Sequence, residues 1–327
     1  MPFGSVPVID NYLFPLHPLA VARKLRVEYP GAVYHLMNRG NHREAIFHDD
    51  EDRRRFLNTL GEVCQKAGWQ VHAFCLMPNH FHLVVETPRG DLVAGMKWFL
   101  GTYTMRFNRR HNLIGHLFGG RYKALIVDGS GNGYLKTVCD YVHLNPARAK
   151  LLRPEQPLAT YAWSSWPEYM KPPSRRWSWL RVDRLLGEYR IPKDNASGRR
   201  RLEKAMESRR MEGEEDEFKP IRRGWFLGDS KLKKKLLTKM VANVGESHES
   251  EQRRESSEVL AERIVREGLK KAGWTEADLA KHRKGVAAKA SMARRLRRET
   301  TMTLKWIAQR LKMGSASMVT HCLKGSE

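Results

Sequence analysis

The sequence predicts an α+β fold: a ferredoxin-like split β-α-β domain with an antiparallel sheet, followed by an all-α C-terminal domain. Four apolar or alternating segments typical of strands occur in the first half of the chain, and segments of helical periodicity separate them. Their order is strand, helix, strand, strand, helix, strand and a further helix, which is the order of a split β-α-β unit. Beyond residue 228 the apolar residues recur at helical spacing.

The elements can be placed in order along the chain. Acidic residues 49–52 lie at the start of the first helix, where they complement the helix dipole, and Gly68 is a plausible end for it. Strands are predicted at residues 32–38, 69–76, 80–85 and 123–127, and helices at residues 49–67, 92–111 and 135–145, the last ended by Pro146.

Two histidines stand at the start of the third strand, after the turn-forming pair Pro78-Asn79. Because side chains on a strand alternate between faces, His80 and His82 share one face and Phe81 lies on the other. Two imidazoles so placed on a rigid strand can share a metal ion. The alternative is a pair of half-buried histidines with a structural role, as is expected of His72 on the neighbouring strand.

A tyrosine and an asparagine stand one turn apart on the last helix of this domain. Tyr141 and Asn145 are four residues apart, so they share a helical face. A tyrosine hydroxyl can attack a phosphodiester, and an amide oxygen one turn away can complete the coordination of a hard metal. The alternative is that Tyr141 is a buried aromatic residue. Tyr134 and Tyr122 are rival nucleophiles, but neither has a coordinating residue one turn away.

These segments resemble a known family. The His-Phe-His segment resembles the motif of the HUH endonucleases, and residues 141–146, Tyr-Val-His-Leu-Asn-Pro, resemble the nucleophile helix of REP-associated tyrosine transposases. Residues 29–40, Tyr-Pro-Gly-Ala-Val-Tyr-His-Leu-Met-Asn-Arg-Gly, and 115–124, Gly-His-Leu-Phe-Gly-Gly-Arg-Tyr-Lys-Ala, are similar to that family's other signature segments. The resemblance covers residues 22–170. Asn145 stands where related single-strand transposases usually have glutamine, which favours the REP-associated branch.

The resemblance implies a metal-dependent transposase that cleaves and rejoins hairpin-forming single-stranded DNA. In this mechanism Tyr141 forms a 5′-phosphotyrosine and leaves a free 3′-hydroxyl. His80, His82 and Asn145 would hold the metal, Mg²⁺ or Mn²⁺. The expected partner is single-stranded DNA, as hairpins of repeated palindromic sequence, and both a monomer and a homodimer are open.

The composition fits a nucleic-acid partner. Lys and Arg number 59 against 36 Asp and Glu, a formal charge of +23, which favours a polyanionic partner. The four cysteines are scattered without a C-x-x-C pair, which argues against a zinc ribbon or a disulfide framework. No apolar run approaches the roughly 20 residues that span a bilayer, and no export signal is recognisable at the start of the chain. A cytoplasmic location is therefore expected.

The C-terminal part contains a short helix capped by Thr303, a turn at residues 312–314 and a helix at residues 316–323 with Ser315 as its candidate cap, which match a helix-turn-helix near residues 303–323. This segment, with a basic helix before it, is similar to the DNA-binding domain of the replication initiator family. The alternative is a helical bundle for self-association. Candidate DNA contacts in the whole chain are Arg39, Arg106, Arg109, Arg121, Lys123, Ser315, Ser317, Thr320 and His321.

Four regions are predicted: a disordered leader (1–21), the catalytic domain (22–170), a charged connector (171–227) and a helical DNA-binding domain (228–327). Two other functions stay open. A hairpin-binding protein without strand transfer would bind DNA and not nick it. A metal-dependent hydrolase or RNA-processing nuclease would cleave without a covalent adduct and without Tyr141.

Overall fold

The computed structural model describes residues 27–212, 216–242 and 249–324. The predicted leader, residues 1–21, lies outside the described residues. The strands are β1 (Ala32–Arg39), β2 (Gln70–Met77), β3 (His80–Thr87), β4 (Lys123–Val127) and β5 (Phe226–Leu227). The α-helices are α1 (Asp50–Ala67), α2 (Leu92–His111), α3 (Tyr134–Arg148), α4 (Trp166–Met170), α5 (Asp183–Glu188), α6 (Ala196–Glu212), α7 (Lys219–Arg223), α8 (Ser230–Ala242), α9 (Glu249–Ala272), α10 (Asp278–Lys281), α11 (Ala287–Glu299), α12 (Leu304–Arg310) and α13 (Ala316–Lys324).

The sheet has the strand order β2-β3-β1-β4-β5. The first four strands pair antiparallel, which confirms the predicted α+β class and the split β-α-β arrangement. The fifth strand was not predicted, and it pairs parallel to β4, so the sheet is mixed rather than antiparallel. It is two residues long and lies in the connector, too short for any alternation of apolar residues to indicate it.

Helices cover both faces of the sheet. Phe81 on β3 packs between α1 and α2, with its ring centroid 5.0 Å from that of Phe56 and 6.3 Å from that of Phe99. Helix α3 contacts β2, β3 and β4. Since alternate side chains of a strand point to opposite faces, the histidines that flank Phe81 point towards α3, as expected.

The end of α3 differs from the prediction. The helix runs through Pro146 to Arg148, whereas the sequence predicted that Pro146 would end it. Proline lacks an N–H and so removes one hydrogen bond, which is tolerable so close to the end of a helix. The last turn is closed by Ala149 N–H to Asn145 O, 2.8 Å, and Leu151 N–H to Pro146 O, 2.9 Å.

The connector packs on the sheet domain. Its longest helix, α6, buries Leu202 and Met206 in the same apolar cluster as the sheet, and the cluster continues to Leu236. The segment predicted as a charged connector therefore contributes to the hydrophobic core.

The C-terminal helices α9 to α13 enclose a second core, with Ile264, Ile307 and Val319 among its buried residues. Both predicted caps are present. Thr303 Oγ1 accepts a hydrogen bond from Trp306 N–H, 3.1 Å, and Ser315 Oγ accepts one from Met318 N–H, 3.2 Å.

One cation of the basic C-terminal segment has a structural role. Lys289 is buried, and its Nζ donates to the carbonyl oxygens of Leu279, His282 and Lys312 at 2.7, 3.0 and 3.3 Å. It therefore holds three turns together and offers no charge to a ligand.

The basic helix α11 contacts α1 of the sheet domain. Lys66 Nζ donates to the carbonyl oxygens of Arg297 and Arg298 and lies 5.1 Å from the Trp98 ring centroid. Burial, with the nearby Arg297 charge, lowers the pKa of Lys66 to about 8. No helix among the described residues is long and apolar enough to span a membrane.

Glu86 on β3 should make stability depend on pH. Its carboxylate contacts His72 Nε2 at 3.2 Å, Arg181 Nη1 at 3.2 Å and Arg184 Nη1 at 2.8 Å. The hydrogen bond from His72, then that from Arg184, lowers the pKa of Glu86 from 4.5 to about 2. A folded-state pKa below the unfolded value stabilises the fold above the unfolded pKa, and this contribution is lost as the pH falls towards about 2.

We therefore expect Glu86→Gln to lower the free energy of unfolding at neutral pH by about 1–2 kcal/mol. The deficit should shrink as the pH falls through the acid range, because the wild-type carboxylate is itself becoming protonated. Urea unfolding followed by tryptophan fluorescence measures both values, and Glu155→Gln at an exposed site is the control. An equal deficit at both ends of this range would contradict the prediction.

Candidate active site

Tyr141 lies on the face of α3 that meets the sheet. Its side chain is 8% exposed. Its ring centroid lies 5.6 Å from that of His82 on β3 and 5.6 Å from that of His35 on β1, both in edge-on geometry. The structure thus brings together the tyrosine and one of the two histidines that the sequence singled out.

His35 is a third histidine of this site, and the sequence analysis did not select it. Its Nε2 lies 2.9 Å from His82 Nδ1, and the two rings are stacked with centroids 5.1 Å apart. The contact arises because β1 pairs with β3, with Met37 opposite His82. The alternation of residues 33, 35 and 37 placed His35 on one face, but the strand pairing that brings it to His82 has no local signature.

His80 completes the histidine group at the start of β3. Its ring centroid is 5.1 Å from that of His82, and its Nδ1 lies 2.8 Å from Asn79 Oδ1. Because an amide oxygen can only accept, His80 donates from Nδ1 and keeps the lone pair of Nε2. His82 does the same when its Nδ1–H donates to His35.

The three imidazoles are neutral at neutral pH. Burial lowers the pKa of His35 to about 4. Burial, and then the Arg39 charge, lowers the pKa of His80 to about 4, and burial lowers that of His82 well below its usual value. A metal-binding imidazole must be unprotonated, so the environment favours the ligating form.

Asn145 lies one turn after Tyr141, as predicted, and is buried. Its Nδ2 donates to Tyr141 O at 2.9 Å, which leaves Oδ1 as the acceptor end of the amide. An oxygen of this kind suits a hard divalent cation.

The Tyr141 hydroxyl is protonated in this conformation. Burial raises its pKa above the usual 10.0, although the Arg222 charge and hydrogen bonds from Asn145 and Arg222 act in the opposite direction. Arg222 is thus placed to stabilise the phenolate once the burial is relieved.

Residues 216–223, which we name the cover segment, lie over the tyrosine. The Phe218 ring centroid is 5.5 Å from that of Tyr141. The Arg148 guanidinium lies 5.1 Å from the Tyr141 centroid and 5.0 Å from the Phe218 centroid. A cavity of about 490 Å³ remains beside the tyrosine, and its lining includes His35, His82, Lys123, Tyr141, Ile221 and Arg222.

Two of the predicted DNA contacts lie near this cavity. Lys123 at the start of β4 lines the cavity. The Arg39 charge contributes to lowering the pKa of both His80 and His82. Arg121, two residues before β4, is exposed.

Two others lie on α2, which packs against α1 on the Phe81 side of the sheet. Arg106 is held in a two-pronged ion pair with Glu62 on α1, at 2.6 and 3.1 Å, and also donates to Thr59. Arg109 is exposed. The structure therefore does not bring these arginines to the tyrosine.

The four candidates in the C-terminal helices lie on or just before α13. Ser317 and His321 are exposed. Ser315 Oγ is used as the helix cap, and Thr320 Oγ1 donates to Ala316 O at 3.0 Å.

His72, on β2, was predicted to have a structural role. It is fully buried and contacts Glu86, so its predicted structural role is confirmed.

A separate group of three potential metal ligands lies between α1 and α2. His48, Asp52 and His111 have ligand atoms within 4.8 Å of one another, so they could hold a metal ion. The Asp52 carboxylate also accepts a hydrogen bond from Arg110 Nη1 at 2.6 Å. This group lies on the Phe81 side of the sheet, away from Tyr141, and is distinct from the His80–His82 pair.

Comparison with known proteins is consistent with this geometry. Residues 29–145 match the family model described as "Transposase IS200 like". No curated protein matches the chain. The similar solved structures include two transposases. A REP-associated tyrosine transposase bound to a REP hairpin is 12% identical, with a TM-score of 0.38, over 47% of this chain and 86% of that chain. A putative transposase from Deinococcus radiodurans R1 is 20% identical, with a TM-score of 0.27, over 37% of this chain and 95% of that chain. Both TM-scores are low, so the family model carries the comparison.

Proposed function

We propose that this chain, whose residues 29–145 match the family model described as "Transposase IS200 like", cleaves and rejoins single-stranded DNA with Tyr141 as the nucleophile. The observation that carries the proposal is the position of the Tyr141 ring, 5.6 Å from the ring of His82 in the His-Phe-His motif. The two lie inside the matched segment, and strand pairing and helix packing bring them together from residues far apart in sequence.

The reaction is a pair of phosphoryl transfers. The Tyr141 phenol gives up its proton as its oxygen attacks the scissile phosphorus, and the bond from phosphorus to the 3′ oxygen breaks. The 3′ oxygen takes up a proton and leaves as a hydroxyl. The 3′-hydroxyl of another strand then attacks the phosphotyrosine and releases the phenol. Because the bond energy is kept in the covalent intermediate, rejoining requires no external energy source.

The residues fit a divalent metal. His80 and His82 are neutral, with Nδ1 used in hydrogen bonds, and the amide nitrogen of Asn145 is used by the helix. These three residues would hold Mg²⁺ or Mn²⁺, which when bound would polarise the scissile phosphate. His35 positions the His82 ring, as outer-shell partners of metal ligands commonly do.

The substrate we propose is hairpin-forming DNA of the REP type, with the REP-associated branch indicated by Asn145. The formal charge of +23 favours a polyanion, and Arg39 and Lys123 lie close to the site. We propose that the α12-turn-α13 segment, with exposed Ser317 and His321, acts as a helix-turn-helix that adds affinity for DNA.

The deciding experiment looks for a protein–DNA adduct. A labelled single-stranded hairpin from repeats that flank the gene is incubated with protein and Mn²⁺, then run on a denaturing gel. We expect an adduct band that EDTA abolishes and that Tyr141→Phe removes. Tyr134→Phe, at the first residue of the same helix, is the matched control and should keep the band.

Each alternative function predicts a different gel. Cleavage by Tyr141→Phe without an adduct would contradict the tyrosine mechanism and indicate a hydrolase. Binding without cleavage by the wild-type protein, across many hairpins, would indicate a binding protein.

The contact between His35 and His82 should matter for metal use. We expect His35→Ala to raise the Mn²⁺ concentration for half-maximal adduct formation by about 10- to 100-fold. His35→Gln can still hydrogen-bond to His82 and should recover part of the loss. A Mn²⁺ titration that is the same for His35→Ala and wild type would contradict a positioning role.

The cover segment should slow the reaction, because Tyr141 must be exposed to reach a phosphate. We expect Phe218→Ala to speed adduct formation by about 2- to 10-fold, the range expected when an aromatic pair is lost. Single-turnover adduct formation measures the rate, and Trp225→Ala, an exposed aromatic nearby, is the control. A slower reaction in Phe218→Ala with unchanged stability would mean that the cover segment assists catalysis.

A further inference from the structure

A second cavity lies on the other side of Phe218 from the histidines. Its volume is about 650 Å³, and the end of α3, the turn that follows it and the end of α6 form its walls. Among the described residues that line it, five are cations and none is acidic: Arg148, Lys150, Arg153, Arg209 and Arg210.

These cations differ in their surroundings. Arg209 pairs with Asp140 at 2.9 Å and with Glu217, and Arg210 Nη1 lies 3.3 Å from Glu207. Lys150 and Arg153 are exposed, and neither forms an ion pair within the described ranges of the chain. These two charges are available to a ligand without breaking an existing contact.

One apolar residue of the lining is exposed. The Met211 side chain at the end of α6 is 76% exposed, whereas Leu144, Leu152 and Phe218, which also line the cavity, are buried. Cations for phosphates and apolar or aromatic surfaces for bases are the two features of single-strand binding grooves.

Two residues that line this cavity also contact Tyr141. Phe218 lines it and lies 5.5 Å from the Tyr141 ring, and Arg148 lines it while lying over both rings. The cavity and Tyr141 thus share Phe218 and Arg148 as neighbours, so the cavity lies within reach of a strand whose phosphate is at Tyr141.

We propose that this cavity binds the single-stranded DNA next to the scissile phosphate, with Lys150 and Arg153 contacting its phosphates. The inference rests on the proposed function, because it takes Tyr141 as the point where the strand is cut. A volume of about 650 Å³ is that of a small-ligand pocket, which admits one or two nucleotides of a single strand and not the face of a duplex.

The test measures binding of a fluorescein-labelled oligothymidine of about 12 nucleotides, a length within the usual single-strand site sizes. The double variant Lys150→Gln, Arg153→Gln should bind it about 5- to 10-fold more weakly by fluorescence anisotropy at low salt. The slope of log affinity against log salt should fall by about 1.4, because each phosphate contact to a single strand contributes about 0.7. Affinity for a blunt duplex of similar length should not change.

The matched control removes the same charge from positions on α6 that lie outside the cavity. Arg201 and Lys204 are exposed and do not line the cavity, so Arg201→Gln, Lys204→Gln should leave binding of both probes unchanged. Equal losses in the two double variants, an equal loss for the duplex, or no loss at all would overturn the proposal.

The adduct assay separates the two proposals. If the wild-type protein forms the Tyr141 adduct and the Lys150/Arg153 variant binds oligothymidine normally, only the cavity proposal fails. If the wild-type protein forms no adduct, the proposed function fails, whatever the binding data show.

Discussion

The packing of α3 on the sheet is the interaction on which the candidate site depends. Tyr141 comes from this helix, His82 from β3 and His35 from β1, and no two of them are close in sequence. Their meeting requires the β1–β3 pairing and the burial of residues such as Leu135, Val138 and Val142 of α3. A core of this kind holds a reacting group more precisely than a loop can.

The same burial opposes the proposed reaction. Removing Tyr141 from water raises the pKa of its phenol, which opposes formation of the phenolate that the proposed attack on phosphorus requires. Arg222 from the cover segment and Asn145 act against this effect. The cover segment thus has two opposing influences on Tyr141, since Phe218 shields the ring while Arg222 favours the charged form. Displacing Phe218 while Arg222 stays near would favour both access and ionisation.

Local sequence patterns predicted those features that depend only on residues close together in the chain. The two-residue spacing of His80 and His82, the four-residue spacing of Tyr141 and Asn145, the Thr303 and Ser315 caps and the α2 and β4 bounds all depend on neighbours in the chain. His35 and β5 depend on strand pairing, and the burial of Lys289 depends on three distant carbonyls, so no local pattern indicated them. The prediction that Pro146 ends the helix was wrong, because a rule for helix interiors was applied to the last turn of a helix.

The connector contributes more to the site than its composition indicated. The sequence predicted a charged connector, and α6 within it buries Leu202 and Met206 and so fixes Arg209 and Arg210 beside the end of α3. The cover segment, which follows α6, places Phe218 between the cavity with the histidines and the cavity with the cations. Both contributions lie outside the matched segment 29–145. The matched segment therefore contains Tyr141 and the histidines, whereas Phe218, Arg222 and the cations of α6, which lie around Tyr141, belong to the connector.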